Sequence, residues 1–148
     1  MRIAVAADHA GYLLKDELVR WLREQGHEVN DLGTNGPESV DYPEYGARLA
    51  GAVASGDAER GVAVCGSGIG ISIAVNREPK CRCARVDDPV SAQLAREHND
   101  ANVLALGARL IGSDMAKACV AAFIDTRFAG GRHQRRVDQL SQLLQESD

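Results

Sequence analysis

The segment from Cys65 to Gly70 offers the clearest chemistry in the sequence, because a thiol precedes three alternating glycines. An apolar run from Gly61 to Cys65 predicts a buried strand before this segment, and Ile71 to Asn76 predicts a helix after it. Glycines allow consecutive backbone N–H groups to face one way, and a helix N-terminus adds partial positive charge. Such a loop can hold a phosphate or a developing oxyanion, although an ordinary strand-to-helix turn would use the same glycines.

Cys65 is a candidate base or nucleophile because it stands at the end of the predicted strand. A thiol beside a helix N-terminus ionises more readily than a free thiol, and a thiolate can abstract a proton or attack a carbonyl. The alternative is a buried strand cysteine with no chemical role. The other cysteines, Cys81, Cys83 and Cys119, are expected to be buried and inert. Disulfides are unusual in the cytosol, and Cys81-x-Cys83 lacks the four ligands of a structural zinc site.

Asp8 and His9 follow the first predicted strand, Ile3 to Ala7, and are candidate ligands for the same site. The carboxyl ends of parallel strands meet at one edge of a sheet, so these side chains are expected near Cys65. Their alternative interpretation is an N-cap aspartate beside a surface histidine. His98 ends the fourth predicted helix, where an imidazole often only complements the helix dipole. Its contribution depends on whether it meets the edge that carries Cys65.

A basic cluster follows the glycine pair at 130–131 near the end of the chain. Arg132 and Arg136 would share one face if this segment is helical, because they are separated by one helical turn. Two guanidinium groups on one face suit a phosphate monoester, since each can form paired hydrogen bonds with its oxygens. The alternative is a solvated tail without a ligand.

The elements that must position these residues alternate between strand and helix. Short apolar runs predict strands at 3–7, 27–32, 61–65, 82–86 and 102–106. Helical spacing predicts helices at 11–25, 45–55, 71–76, 89–97 and 113–127, with Asp88 and Ser113 as N-caps. A loop is expected at 33–43, and a helical tail from about residue 130. This alternation predicts one α/β domain over residues 1–148, a three-layer α/β/α sandwich with a five-stranded parallel, Rossmann-like sheet.

The composition argues against several classes of protein. Acidic residues outnumber basic residues by 21 to 17, and both signs are mixed along the chain, which argues against a nucleic-acid-binding protein. No apolar run approaches the roughly 20 residues of a membrane helix. Charge interrupts the first residues too soon for a signal peptide. The protein is therefore expected to be cytoplasmic and to contact neither nucleic acid nor membrane.

Several separated motifs resemble those of the type B ribose-5-phosphate isomerases, a family that includes galactose- and allose-6-phosphate isomerases. The resemblance runs from Ile3 to about Val137 and is specific in its order and spacing. It implies the three-layer parallel fold and an aldose–ketose isomerase that uses no metal and no organic cofactor. The motifs that carry it are Asp8-His9-Ala10-Gly11, Asp41-Tyr42-Pro43, residues 65–72, residues 96–104 and Gly130-Gly131-Arg132-His133-Gln134.

The resemblance implies a role for each matching residue. Cys65 would be the base that removes the C2 proton and returns it to C1, and His98 would open the furanose ring. The enediolate would be stabilised by the Ser67 hydroxyl and by the backbone amides of Gly66, Gly68, Ile69 and Gly70. Sugar hydroxyls would be bound by Asp8, Tyr42 and Asn99, and the phosphate by His9, Arg109, Arg132 and Arg136.

The resemblance also implies homodimers, or dimers paired into tetramers, with active sites between subunits and a small sugar phosphate as substrate. Ser67 stands where some members of the family have threonine, and the hydroxyl is kept. One branch of the family lacks the cysteine and has a glutamate where this chain has Ile71. The sequence therefore falls on the cysteine branch.

Three alternatives to the isomerisation of ribose 5-phosphate stay open from the sequence. An isomerase of allose or galactose 6-phosphate would run the same reaction in a longer pocket. A Cys–His hydrolase could use Cys65 and His98 to form a thioester, with no need for the arginines. A non-catalytic phosphosugar-binding module is also compatible with the fold, because a fold alone does not define a function.

Overall fold

The computed structural model describes residues 1–145 as an alternation of strands and helices. The strands are β1 (Arg2–Ala7), β2 (Glu28–Asp31), β3 (Arg60–Cys65), β4 (Cys83–Arg85) and β5 (Val103–Gly107). The helices are α1 (Tyr12–Glu24), α2 (Tyr42–Ala54), α3 (Ile69–Val75), α4 (Pro89–Asn99), α5 (Ser113–Asp125) and α6 (Arg132–Gln145). Residues 146–148, the last of the predicted domain, lie outside the described residues.

The strands form one parallel sheet in the order β2-β1-β3-β5-β4. β3 lies at the centre, where Val62 is paired with Val5 of β1 and with Leu104 of β5. The chain moves outward from β1 to β2 and then returns to the other side of β1 with β3. The strand order therefore reverses between β1 and β3, which is where open parallel sheets bind ligands beyond the carboxyl ends of their strands.

Helices cover both faces of the sheet, because the strands are apolar on both sides. One face packs against α1, α4 and α5, with Leu18 and Phe123 in its core. The other face packs against α2 and α3, and Cys65 belongs to this side together with Leu49 and Ile71. Strands buried on both faces appear in a sequence as short continuous apolar runs. The predicted three-layer α/β/α sandwich with a five-stranded parallel sheet is confirmed.

Two helices begin earlier than the sequence predicts. α2 begins at Tyr42 rather than at Tyr45, because Pro43 occupies the first turn, where the missing N–H breaks no intrahelical hydrogen bond. The predicted loop thus ends before Tyr42. α3 begins at Ile69 rather than at Ile71, directly after the left-handed residue Gly68, whose φ is 76°.

One predicted helix cap is confirmed and the other is wrong. Asp88 is the N-cap of α4, and its carboxylate accepts a 2.8 Å hydrogen bond from the backbone N–H of Ser91. Ser113 is the first residue of α5, and the N-cap position belongs to Gly112. None of the helices within residues 1–145 is long and apolar enough to cross a bilayer.

Unlike Cys65, the other three cysteines do not stand at the carboxyl end of a strand. Cys81 and Cys119 are buried as predicted, whereas Cys83 is only half-buried. Burial raises the pKa of Cys81 and that of Cys119 to about 11, and it also raises the pKa of Cys83. These thiols therefore stay neutral near pH 7, as inert thiols should.

Candidate active site

A cavity of about 380 Å³ lies at the carboxyl edge of the sheet, beside the point where the strand order reverses. We refer to it as the carboxyl-edge cavity. Residues from the ends of β1 and β3, from the start of α2 and from the loop after β5 meet there. Its lining consists of Asp8, His9, Ala10, Tyr42, Cys65, Gly66, Ser67, Gly70, Arg109 and Leu110. Most of the residues proposed from the sequence as site residues thus share one cavity.

The glycine loop, residues 66–70, wraps around the sulfur of Cys65. The backbone N–H of Gly68 donates to Cys65 Sγ at 3.1 Å, and the N–H of Ile69 donates to Ser67 Oγ at 3.1 Å. An N–H group that donates to sulfur is the kind of partner that stabilises a thiolate. The side chain of Ile69 is 51% exposed, so this residue contributes to the site through its backbone. The loop therefore places a thiol and amide donors side by side.

Close packing of backbone fixes the glycine loop over the end of β5. A Cβ atom added at Gly107 would lie 2.7 Å from the carbonyl carbon of Ser67, which only a glycine avoids. Gly68, whose backbone is left-handed, likewise lies against the end of β5. A Cβ atom added to Gly68 would lie 2.8 Å from the carbonyl carbon of Leu106. The loop is thus seated directly on the neighbouring strand, with no room for a side chain between them.

Asp8 is buried at the end of β1, with only 7% of its surface exposed. Its Oδ1 accepts hydrogen bonds from the backbone N–H groups of Ala10, at 3.0 Å, and Gly11, at 3.2 Å. The carboxylate therefore closes the turn before α1, much as the capping alternative predicts, although Gly11 itself is the N-cap residue. The same residue also lines the cavity, so the two interpretations of Asp8 are compatible.

The backbone of Val40 orients the imidazole of His9. His9 Nδ1 lies 3.1 Å from the backbone nitrogen of Val40 and 3.2 Å from its carbonyl oxygen. When the N–H of Val40 donates to Nδ1, the neutral ring carries its proton on Nε2. Nε2–H is then the donor that an anionic ligand in the cavity would meet.

Arg109 and Tyr42 lie against two of the loop glycines. The loop after β5 is bonded to the glycine loop, since the N–H of Arg109 donates to the carbonyl of Gly66 at 3.0 Å. A Cβ on Gly66 would lie 3.2 Å from Arg109 Nη1, and one on Gly70 would lie 2.8 Å from the ring of Tyr42. The missing side chains thus let a cation and a phenol approach the loop closely.

A second cavity of about 460 Å³ is lined by three of the remaining predicted residues. We refer to it as the amino-edge cavity. His98 and Asn99, at the end of α4, line it together with Arg136 of α6. The rings of His98 and His133 stack with centroids 4.5 Å apart and an interplanar angle of 16°. Burial lowers the pKa of His133, as do its electrostatic interactions with His98, Arg132 and Arg136.

The two cavities lie at opposite edges of the sheet. In a βαβ unit the helix runs back along the strand, so the end of α4 lies near the start of β5, whereas Cys65 is at the end of β3. Because β3 is six residues long, the two edges are separated by five steps of about 3.3 Å, or roughly 17 Å. Within one chain, His98 therefore does not meet Cys65. Arg132 opens α6 in an exposed position and lines neither cavity.

Sequence reasoning missed one charged contact with the glycine loop. Nε of Arg85, at the end of β4, donates to the carbonyl of Ser67 at 2.9 Å. The only available signal was an arginine at the end of an otherwise short, apolar strand. His133 was noticed within a motif but not as the stacking partner of His98. Among residues 1–145, no three His, Cys, Asp or Glu side chains cluster in a way that could hold a metal ion.

The parallel α/β sandwich with a thiol and a glycine loop at its switch point is typical of enzymes that act on small phosphorylated ligands. Residues 3–140 match the family model described as Ribose/Galactose Isomerase. The chain belongs to this family.

Proteins with this fold and similar sequence include several named sugar phosphate isomerases. The chain is 46% identical over 144 residues to ribose-5-phosphate isomerase B of Escherichia coli, which covers 97% of each chain. It is 38% identical over 141 residues to D-erythrulose-4-phosphate isomerase of Pectobacterium atrosepticum, covering 95% of this chain and 93% of that one. The solved structure of Clostridium thermocellum ribose-5-phosphate isomerase B superposes with a TM-score of 0.99, at 45% identity and full coverage of both chains.

Proposed function

We propose that this chain interconverts ribose 5-phosphate and ribulose 5-phosphate through an enediolate, with Cys65 as the base. The observation that carries the proposal is the 3.1 Å hydrogen bond from Gly68 N–H to Cys65 Sγ inside a cavity lined by a glycine loop. The relatives named ribose-5-phosphate isomerase B support the choice of substrate. The class of reaction, an aldose–ketose isomerisation, is that of the family.

The proposed chemistry moves one carbon-bound proton. The thiolate of Cys65 takes the proton from C2 of the open-chain aldose, and the electron pair shifts onto the C1 oxygen. The amides of the glycine loop and Ser67 Oγ stabilise the negative charge that develops on the two oxygens. The hydroxyl proton of O2 passes to O1, and the thiol returns its proton to C1, which leaves a ketone at C2. Atoms and charge balance, and no step requires a metal or an organic cofactor.

The remaining residues bind the two ends of the substrate in this proposal. Asp8 and Tyr42 bind sugar hydroxyls from the carboxyl-edge cavity. His9 and Arg109 bind the phosphate from the same cavity, and binding energy from this remote group positions C1 and C2 over the sulfur. The guanidinium of Arg109 suits this role because its planar, fixed N–H donors match the oxygens of a phosphate.

A complete site in this proposal needs two copies of the chain. His98 opens the furanose ring, but it lies at the far edge of its own sheet, roughly 17 Å from Cys65. We therefore assign ring opening to His98 of the partner subunit, together with the contributions of Asn99, Arg132 and Arg136. A homodimer, or a dimer of dimers, with active sites at the subunit interface follows. We place this assembly in the cytoplasm.

Other sugar phosphates are the second candidate substrates. The family description includes galactose, and a relative of 38% identity is named for a four-carbon sugar phosphate. A six-carbon substrate such as allose or galactose 6-phosphate would undergo the same reaction at C1 and C2. The chemistry at Cys65 would be unchanged, and only the distance to the phosphate would differ.

The test is isomerisation of ribose 5-phosphate in the presence of a chelator, by wild type, Cys65→Ala and Cys119→Ala. Cys119 is a fully buried residue of α5 that does not line the carboxyl-edge cavity, and it serves as the matched control. We expect wild-type activity in the control and loss of turnover in Cys65→Ala, with substrate binding retained. Turnover by Cys65→Ala would exclude Cys65 as the base. Activity of the wild type on only four- or six-carbon phosphates would move the substrate assignment, and binding without turnover would indicate a binding module.

A further inference from the structure

The side chain of Arg85 is bonded to the glycine loop from outside the carboxyl-edge cavity. Its Nε donates to the carbonyl oxygen of Ser67 at 2.9 Å, and its Nη1 lies 2.7 Å from Asp87 Oδ2. The Arg85 side chain is 26% exposed, and the Asp87 side chain is 50% exposed. A charged donor on a backbone carbonyl is stronger than a neutral one. Arg85 is therefore held by Asp87 and in turn holds one peptide of the loop.

That peptide also supplies the N–H donor of Cys65. The carbonyl of Ser67 and the N–H of Gly68 belong to one planar trans peptide, so they point in opposite directions. A donor that holds the carbonyl on the side of β4 therefore directs the N–H toward Cys65 Sγ, 3.1 Å away. The positive charge at the oxygen also polarises the peptide and strengthens its N–H as a donor.

The backbone of the loop does not by itself fix this orientation. Gly68 has a φ of 76°, and a glycine adopts positive and negative φ with similar ease, so the peptide before it can rotate. Gly107 allows the loop to sit on β5 but makes no directional bond with the Ser67 carbonyl. Arg85 provides a directional bond that a rotated peptide would lose.

We propose that Arg85 is a positioning residue, which orients the Ser67–Gly68 peptide so that its N–H faces the sulfur of Cys65 and the reacting oxygens. This inference rests on the proposed function for its effect on turnover. Besides Cys65, the charged and titratable groups of the cavity are Asp8, His9, Tyr42 and Arg109, which approach from the end of β1, from the start of α2 and from the loop after β5. Arg85 thus acts from the β4 side, from which none of these groups approaches.

The test compares Arg85→Met, Arg85→Lys and Arg23→Met. Arg23 is the matched control, because its Nη2 also donates to a backbone carbonyl, that of Val29 at 3.2 Å, away from the cavity. In Arg85→Met we expect kcat to fall at least about tenfold, since a misdirected amide donor is lost from the transition state, while KM changes less than about twofold. Arg85→Lys keeps a charged donor and should recover part of the lost kcat.

A second readout does not depend on turnover. Iodoacetamide alkylates the Cys65 thiolate, and the tryptic peptide 61–77 carries Cys65 as its only cysteine, so mass spectrometry can follow its alkylation alone. We expect Arg85→Met to slow this alkylation at pH 7 about threefold or more, with Arg85→Lys in between. If Arg85→Met does not fold, Asp87→Asn weakens the ion pair that holds the guanidinium and keeps Arg85 itself. In that variant we expect smaller decreases of kcat and of the alkylation rate, in the same direction.

Wild-type kcat and wild-type alkylation in Arg85→Met would overturn the proposal. So would an equal loss in Arg23→Met, or a loss confined to KM. Absence of isomerisation by the wild-type protein would instead contradict the proposed function. The alkylation rates would still decide whether Arg85 orients the donor of Cys65.

Discussion

Active sites shared between two copies of the chain predict that two inactive variants restore each other. Cys65→Ala removes the base from the carboxyl-edge cavity, and His98→Asn removes the imidazole from the amino-edge cavity. The roughly 17 Å between the edges of the sheet is far more than the reach of one proton transfer, which needs partners about 3 Å apart. Each variant alone should therefore be inactive in both of its sites.

The expected activity of the mixture follows from counting complete sites. In a hybrid dimer, one site combines both substitutions and is inactive, whereas the other combines intact Cys65 with intact His98. Each hybrid thus keeps one of its two sites, or about half of the wild-type activity. Random pairing of equal amounts makes about half of the dimers hybrid, so the mixture should show roughly a quarter of the wild-type activity.

The assay uses co-expression with two different affinity tags and sequential purification of the hybrid. Ribose 5-phosphate isomerisation per mole of dimer is then compared with wild type and with each variant alone. An inactive hybrid would show that Cys65 and His98 act within one chain, which would contradict their placement at opposite edges of the sheet. Full activity of either single variant would remove that residue from the mechanism.

Three further predictions concern the scaffold. Gly107→Ala should lower kcat at least about tenfold, because the added Cβ, 2.7 Å from the backbone of the glycine loop, displaces the loop. Lys15→Met should lower the free energy of unfolding in urea by about 2 to 3 kcal/mol, because it removes a fully buried ammonium and leaves Asp31 without its ion-pair partner. Hydrogen bonds from Ser91 hold the pKa of Asp88 below its ordinary value. The stability that the charged form contributes is therefore present above about pH 3.9 and lost as the pH falls through the folded-state pKa. Asp88→Asn should accordingly lower Tm at pH 7 and converge with wild type in acid.

Each of these predictions has an outcome that contradicts it. Gly112→Ala is the control for the loop, because nothing lies within 4 Å of its added Cβ, and equal losses in both variants would argue against a specific displacement. Lys117→Met is the control for the buried lysine, since the Lys117 side chain is 28% exposed and its ion pair lies near the surface. An equal effect there would argue against burial as the cause. A Tm difference for Asp88→Asn that persists in strong acid would exclude its carboxylate as the source.

Residues that directly follow predicted strands could be placed in the site from the sequence. Asp8, His9 and Cys65 each end an apolar run, and parallel strands bring such ends to one edge. The motif residues Tyr42 and Arg109 came from a resemblance, because neither spacing nor composition indicates that they face the glycine loop. The sequence places the start of α2 too late because proline is typical of loops, although the first turn of a helix also accepts it.

The order of the strands explains what the sequence could not show. β4 follows β3 along the chain, but in the sheet β5 lies between them. Arg85 therefore reaches the glycine loop across the end of β5, which the order of elements in the sequence does not indicate. A run of apolar residues predicts a strand but not its neighbours in the sheet. The separation of His98 from Cys65 likewise depends on the direction in which α4 runs back along the sheet. Both features belong to topology rather than to local sequence.

In the proposed mechanism the glycine loop acts mainly through main-chain N–H groups, and this limits how evolution can alter the enzyme. A substitution at one of the loop glycines adds a side chain and leaves the backbone N–H in place, so it can only disturb the position of these donors, whereas Ser67 also contributes its hydroxyl. Side chains such as Asn99 and Arg136 in the amino-edge cavity can instead be replaced one at a time. We expect natural variation in substrate length to accumulate in that cavity. In the proposed dimer, each active site combines the amino-edge cavity of one copy with the carboxyl-edge cavity of the other. Substitutions in the amino-edge cavity can therefore change the substrate specificity while Cys65 and the glycine loop stay the same.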